Sequence, residues 1–111
     1  MTPMPHDPHV FSKTLSMTSY WMPVHFDITA WAEHAPFASW LIDAARPRTV
    51  LELGTHKGFS FFAMAETARR LGLPTVLTAI DGWVGDDHAG YYGDEVYEKV
   101  RGIAARDYPD T

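Results

Sequence analysis

Two short apolar runs constrain this chain more than any other feature. Thr49-Val50-Leu51-Glu52-Leu53 and Thr75-Val76-Leu77-Thr78-Ala79-Ile80 are rich in β-branched and aliphatic residues, the composition of strands. Between them the period changes. Phe61, Met64, Ala65, Ala68 and Leu71 fall on one helical face, which predicts a helix over 60–71. Arg69 and Arg70 suit its C-terminal dipole end, and Gly72 suits the residue just beyond it. Strand, helix, strand in that order predicts a right-handed crossover joining a parallel pair. Parallel strands are normally covered on both faces, so both runs are expected to be buried on both sides.

The flanks extend the pattern. Phe37, Trp40, Leu41, Ala44 and Ala45 line one face of a predicted helix that starts at Pro36 and ends before Pro47. A loop over 82–93 follows the second strand. A third helix is predicted from Asp94 to about Asp107, with Val96, Val100, Ile103 and Ala104 on one face. The fold class expected is α/β: the N-terminal half of a Rossmann-like, doubly wound parallel sheet, with two parallel strands and about three helices. A chain of 111 residues allows one domain. We divide it into an irregular N-terminal arm, 1–30, and the α/β unit, 31–111. Residues 1–9 hold three prolines and read as a flexible lead-in. Phe11, Tyr20, Trp21 and Phe26 are scattered through an ordered but irregular remainder with a short helix.

Composition narrows the function. The net charge of -5 argues against a nucleic-acid-binding surface. The absence of cysteine excludes disulfide scaffolds, thiolate nucleophiles and Cys-ligated metal, and fits a reducing compartment. No apolar stretch is long enough for a membrane helix, and the N-terminus lacks a signal-peptide pattern. The cytoplasm is the expected location, with no membrane partner.

Ligands of open α/β sheets bind beyond the carboxyl ends of the strands. Two features fall there. Gly54 and Gly58 flank the turn from the first strand into the helix, where free N–H groups favour an anionic group. Asp81 ends the second strand, 23 residues past Gly58, near the ~20-residue spacing of a carboxylate that receives ribose hydroxyls. The pair predicts a site for an adenosine-containing ligand. A dinucleotide fingerprint needs glycine where this chain has His56 and Phe59. A Walker loop needs wider glycine spacing, with lysine after the second glycine rather than at Lys57.

The pattern of strand, Glu-x-Gly-x-x-x-Gly, helix, strand, Asp resembles the first two motifs of class I S-adenosylmethionine-dependent methyltransferases. Glu52-Leu53-Gly54-Thr55-His56-Lys57-Gly58, the run from Ile80-Asp81-Gly82-Trp83 to Tyr92-Gly93, and Trp31 to Phe37 together resemble one bacterial subgroup, whose members occur alone or fused to glycosyltransferases. The resemblance covers roughly 30–108. It implies S-adenosyl-L-methionine as cofactor. Gly54, Thr55, His56 and Gly58 would pass beside the homocysteine part, Glu52 would receive its ammonium, and Asp81 would accept the ribose hydroxyls. Trp83 would cover the ribose or adenine face. It further implies methylation, at oxygen, of a small-molecule or glycan acceptor. His56 stands where the more familiar loop has glycine. His88 is the candidate general base. Asp86, Asp87 and His88 read as solvated or capping residues, and no metal is expected. The later strands of such a fold do not follow in these 111 residues. The chain alone is therefore expected to be inactive and prone to self-association. The alternative is a non-catalytic fragment, or a cofactor-binding module that needs a partner chain.

Overall fold

The computed structural model describes residues 17–25, 31–88 and 90–111. The expected lead-in over 1–9, together with Phe11 and Phe26 of the arm, lies outside the described residues. In chain order the elements are α1 (Ala35–Ala45), β1 (Thr49–Leu53), α2 (Phe59–Arg70), β2 (Val76–Ile80), a small hairpin of β3 (Gly85–Asp86) and β4 (Gly90–Tyr91), and α3 (Asp94–Asp107). Short 3-10 turns, Met17–Tyr20 and Ala32–His34, precede α1. The first supplies the short helix expected in the arm.

β1 and β2 are parallel and in register from Thr49↔Val76 to Leu53↔Ile80. The crossover through α2 brings both C-terminal ends to the same edge. The Thr75 hydroxyl ties the opposite edge by donating to the Pro47 carbonyl at 2.7 Å. Pro36 sits in the first turn of α1, and Arg46 closes it in a left-handed conformation, its N–H donating to the Ile42 carbonyl. Gly72, at φ +67, turns the chain out of α2. The Gly72 and Leu73 N–H groups cap the last carbonyls of that helix.

The helices share one core. Ile42 of α1, Phe61, Phe62, Ala65 and Ala68 of α2, Leu77 of β2, Val100 of α3 and Tyr108 form a single buried cluster. Val50 and Ala79 pack against it from the sheet. The buried face of α1 is not the one the spacing suggests. Ala35, Ala38, Ser39 and Ile42 are buried, whereas Phe37, Leu41, Ala44 and Ala45 are exposed and Trp40 is half-buried. Small residues let α1 lie close to α2. The buried Ser39 and Thr67 hydroxyls meet at 3.0 Å across that contact, where the larger aromatic face would hold the helices apart.

The strands also depart from expectation. Burial alternates along each: Val50, Glu52, Leu77 and Ala79 face the core, and Leu51, Leu53, Val76 and Ile80 stand 53–74% exposed on the other side. The helices cover one face of the sheet, and among the described residues nothing covers the other. The sequence is apolar enough for two layers; the described structure has one.

A polar knot fastens the far end of α2. Glu66 is buried and accepts from the Tyr108 hydroxyl at 2.7 Å, from Arg70 at 2.9 Å and from Arg69 at 3.1 Å. Burial alone would raise the Glu66 pKa. The Tyr108 hydroxyl and the two guanidinium groups outweigh it and hold the carboxyl below its ordinary value. Arg70 also lies over the Trp21 ring. His25 packs on Phe62 and Tyr108 and pairs with Asp107 at 3.0 Å. These contacts hold residues 21–25 of the arm against the α/β unit.

Among the described residues an apolar face is uncovered and the strand edges beside it are unpaired, an arrangement that favours association. The purified chain is expected to show concentration-dependent sedimentation. Leu51→Lys combined with Val76→Lys should reduce that dependence while leaving the circular dichroism unchanged. A wild-type chain that stays monomeric at high concentration would contradict this reading of the face.

Candidate functional site at the carboxyl edge of the sheet

The site grows out of the ends of β1 and β2. The Gly54 N–H donates to the Ile80 carbonyl at 2.8 Å, carrying the ladder one step past β1. The chain then turns sharply, with Gly54 at φ +83, His56 at φ +52 and Gly58 at φ +90. Gly58 caps α2 and has no room for a side chain, since a Cβ there would lie 2.6 Å from Cε2 of Phe62. Gly54 has open space around the same position, so only its backbone conformation calls for glycine.

Asp81 faces this turn. Its Oδ2 accepts the N–H groups of Thr55 at 2.7 Å and His56 at 2.9 Å. Its Oδ1 accepts the Trp83 N–H at 2.8 Å. Burial works to raise its pKa. The three backbone donors outweigh burial and hold it below the ordinary aspartate value. A carboxylate offers about four acceptor positions, so one stays open on Oδ1.

Glu52 lies on the core face of β1. Its Oε2 accepts the Ser60 hydroxyl at 2.6 Å, while Oε1 is buried with no partner among the described residues. Burial pushes the Glu52 carboxyl up. The Ser60 and Thr55 hydroxyls pull it down, and the Asp81 charge adds to the rise. The Thr55 hydroxyl oxygen is buried beside that carboxylate, close enough to lower its pKa, but makes no well-formed hydrogen bond among the described residues.

A cavity of about 720 Å³ opens beyond the strand ends. Leu53, Gly54 and His56 line it from β1 and its turn, and Ile80, Asp81 and Gly82 from β2. Gly85, Asp86 and Tyr92 close it from the hairpin. Burial, with the Asp81 and Asp86 charges, raises the pKa of the Tyr92 phenol. Across the mouth, the His56 and Tyr92 rings lie 5.4 Å apart. A smaller cavity of about 70 Å³ adjoins it at the start of α2, lined by Trp31, Thr55, Lys57 and Ser60 among others.

The structure thus brings Gly54, His56 and Asp81 together on the larger cavity, with Thr55 on the smaller one. Gly58 shapes the turn from beneath. Glu52 lines neither cavity. Trp83 is directed elsewhere: its ring packs on Tyr97 of α3, 5.2 Å away, and against the core. His88 is exposed at the hairpin turn, where its N–H donates to Asp86 Oδ1, and it does not line the cavity. Asp86 and Asp87 are engaged within the hairpin, Asp86 by the His88 N–H and Asp87 by the Tyr91 hydroxyl at 2.8 Å, and among the described residues no three such side chains gather as metal ligands. Trp31 and His34 contact each other edge-on at 5.5 Å, with Trp31 on the smaller cavity. Sequence reasoning missed Tyr92 and Asp86 as cavity residues. The signal for them was Gly85 and Gly90, whose positive φ values fold 85–91 into the hairpin that presents both.

Comparison with known proteins adds one relative. The chain is 44% identical over 94 residues to the uncharacterized protein y4gI of Sinorhizobium fredii. The match covers 85% of this chain and 10% of that protein, so the chain spans about a tenth of the length of the relative it matches. No protein-family model matches the chain. No solved structure matches it.

The two glycines of the turn should respond differently to alanine. Gly54→Ala meets only the left-handed backbone penalty, about 1 kcal/mol. Gly58→Ala adds a collision with Phe62 and should cost roughly 2–4 kcal/mol. Urea denaturation of the two variants checks this, and equal losses would show that the Phe62 contact does not limit position 58.

Proposed function

We propose that this chain carries the cofactor-binding half of a Rossmann-like, class I S-adenosylmethionine-dependent methyltransferase. The observation that carries the reading is the meeting of Asp81 with the Gly54–Gly58 turn on one cavity, at the carboxyl edge of a parallel βαβ unit. The donor set fits the cofactor's charges. Asp81 and Asp86 make the cavity wall negative, which favours a cationic ligand over a nucleoside polyphosphate. Glu52 lines neither cavity, so its buried Oε1, without a hydrogen-bond partner among the described residues, would meet an ammonium group through water. The open position on Asp81 Oδ1 suits a ribose hydroxyl.

When bound, the cofactor would supply an electrophilic methyl group on a sulfonium. The chain's own part is positional. The 54–58 turn holds the amino-acid end, Asp81 the ribose, and His56 with Tyr92 limits the mouth of the cavity. Rate acceleration in such a transfer comes mainly from proximity and orientation. His88, exposed and outside the cavity, offers no support here for the role of general base. Trp83, packed on Tyr97, supports a structural role rather than cover for the adenine.

The acceptor class we propose is a small molecule or glycan, methylated at oxygen. The net charge of -5 speaks against nucleic acid. Among the described residues no helix is long and apolar enough to cross a membrane, and we place the protein in the cytoplasm. The uncovered outer face of the sheet favours the companion reading that this segment acts with further chain or a partner, and has no methyl transfer by itself.

The test is titration of S-adenosylhomocysteine to millimolar concentration, followed by amide resonances. The amides of 54–58 and 81–86 should shift, and neither NAD nor ATP should reproduce the pattern. Asp81→Ala should weaken binding at least tenfold, because charge-assisted hydrogen bonds are worth roughly 1.5–3 kcal/mol each. Asp86→Ala should weaken it less. Absence of those shifts, or the same shifts with ATP, would overturn the assignment.

A further inference from the structure

The hairpin beyond β2 is attached in an unusual way. Among the described non-glycine residues, Arg46, His56 and Trp83 have positive φ. Arg46 ends a helix, a position where left-handed backbone is common. The other two have no such explanation, and both donate their N–H groups to the same carboxylate, that of Asp81. Residues held in sparsely populated backbone regions persist only where their surroundings hold them there.

The two attachments differ in backing. On the Oδ2 side, Thr55 and His56 belong to a turn fixed by the Gly54–Ile80 bond, by the Gly58 N–H on the Thr55 carbonyl, and by α2 itself. On the Oδ1 side, the backbone of Trp83 is in no helix or strand, and its hold comes from its ring, which packs on Tyr97 of α3 and against the core. It leads into a hairpin of two-residue strands, closed by the Tyr92 N–H on the Val84 carbonyl. Val84 and Tyr91 of that hairpin are 60% and 74% exposed. The hairpin reaches back across the cavity through the His56–Tyr92 ring contact.

Three of the roughly four positions on Asp81 are taken by backbone donors. A ligand that brings one hydroxyl fits the vacancy. A vicinal diol brings two, so one N–H must give way. The Trp83 N–H is the one that yields. Among the described residues it is the lone donor on Oδ1, its backbone lies outside any helix or strand while its packed ring can stay in place, and its release relieves the left-handed strain at a bulky residue.

We propose that the Asp81–Trp83 hydrogen bond is a latch: it holds the 83–92 hairpin over the cavity, and a vicinal-diol ligand opens it by taking that acceptor position. The ligand arm of this inference rests on the diol-bearing cofactor proposed above. The latch itself rests only on the geometry of Asp81.

Hydrogen exchange read residue by residue separates the two. Without ligand, Asp81→Asn should speed exchange of the Trp83 amide at least tenfold while amides in the middle of α2 keep wild-type rates. Unchanged exchange at Trp83 would overturn the latch, whatever the protein binds. With wild-type protein, saturating S-adenosylhomocysteine should speed exchange at Trp83. Its 2′-deoxy analogue, which brings one hydroxyl to Asp81, should bind and leave Trp83 protected. Equal effects of the two ligands, or binding with no change at Trp83, would overturn the diol trigger. Failure of both to bind would remove the cofactor reading and the trigger with it, leaving the Asp81→Asn result to decide the latch.

Discussion

One carboxylate organises the carboxyl edge of this sheet. Asp81 takes three backbone N–H groups from two loops separated in sequence, and it does so while half-buried. Each such bond is charge-assisted and shorter than 3 Å, the stronger kind of protein hydrogen bond. Remove the charge, and the turn after β1 loses two of the hydrogen bonds that hold it, while the start of the hairpin after β2 loses its backbone tie to the sheet edge. The cavity exists because those two loops stand at fixed positions on either side of it. Its shape and the strained backbone at His56 and Trp83 therefore depend on one ionised side chain.

The core works in the opposite way, through many small contributions. Phe62 lies beneath Gly58 and touches His25 and Tyr108, so the turn that shapes the site is also wedged from below. Glu66 concentrates four hydrogen bonds in one buried place. Paired and hydrogen-bonded, its charge is tolerable there; with a partner removed it would be costly. Together these contacts give the single face of the sheet a well-ordered cover. The bare face, with Leu51, Leu53, Val76 and Ile80, has the composition of an interior surface. Under the proposed reading, further elements of a longer methyltransferase would cover it.

Much of this was legible in the residues, for reasons that are local. Strand composition, the Pro36 and Pro47 boundaries and the Gly72 stop placed α1, β1, α2 and β2 within a residue or two, because caps and breakers act through the backbone beside them. That the Gly54–Gly58 turn and Asp81 meet at one edge was legible because crossover topology brings both strand ends there. What failed depends on distance. The face of α1 was misjudged because the helix is apolar on two sides, and the packing of Ser39 against Thr67 decides which side turns inward. Burial of the strands was overestimated because the pattern cannot say how many layers are present. Trp83 looked like a cover for the ligand until Tyr97, on a later helix, claimed its ring. Glu66 and Tyr108, 42 residues apart, carry no local signal of their contact.

The most direct measurement of the central claim is an NMR pH titration of the unliganded chain. It would follow the Asp81 side-chain carboxyl carbon and the amides of Thr55, His56 and Trp83 together. The Asp81 pKa lies below the ordinary aspartate value, so its contribution is complete above about pH 4. That contribution is lost as the pH falls through the lowered folded value. The account predicts that all four signals move with one shared midpoint, below the ordinary aspartate value. Separate midpoints for the three amides, or an Asp81 midpoint at or above the ordinary value, would contradict it.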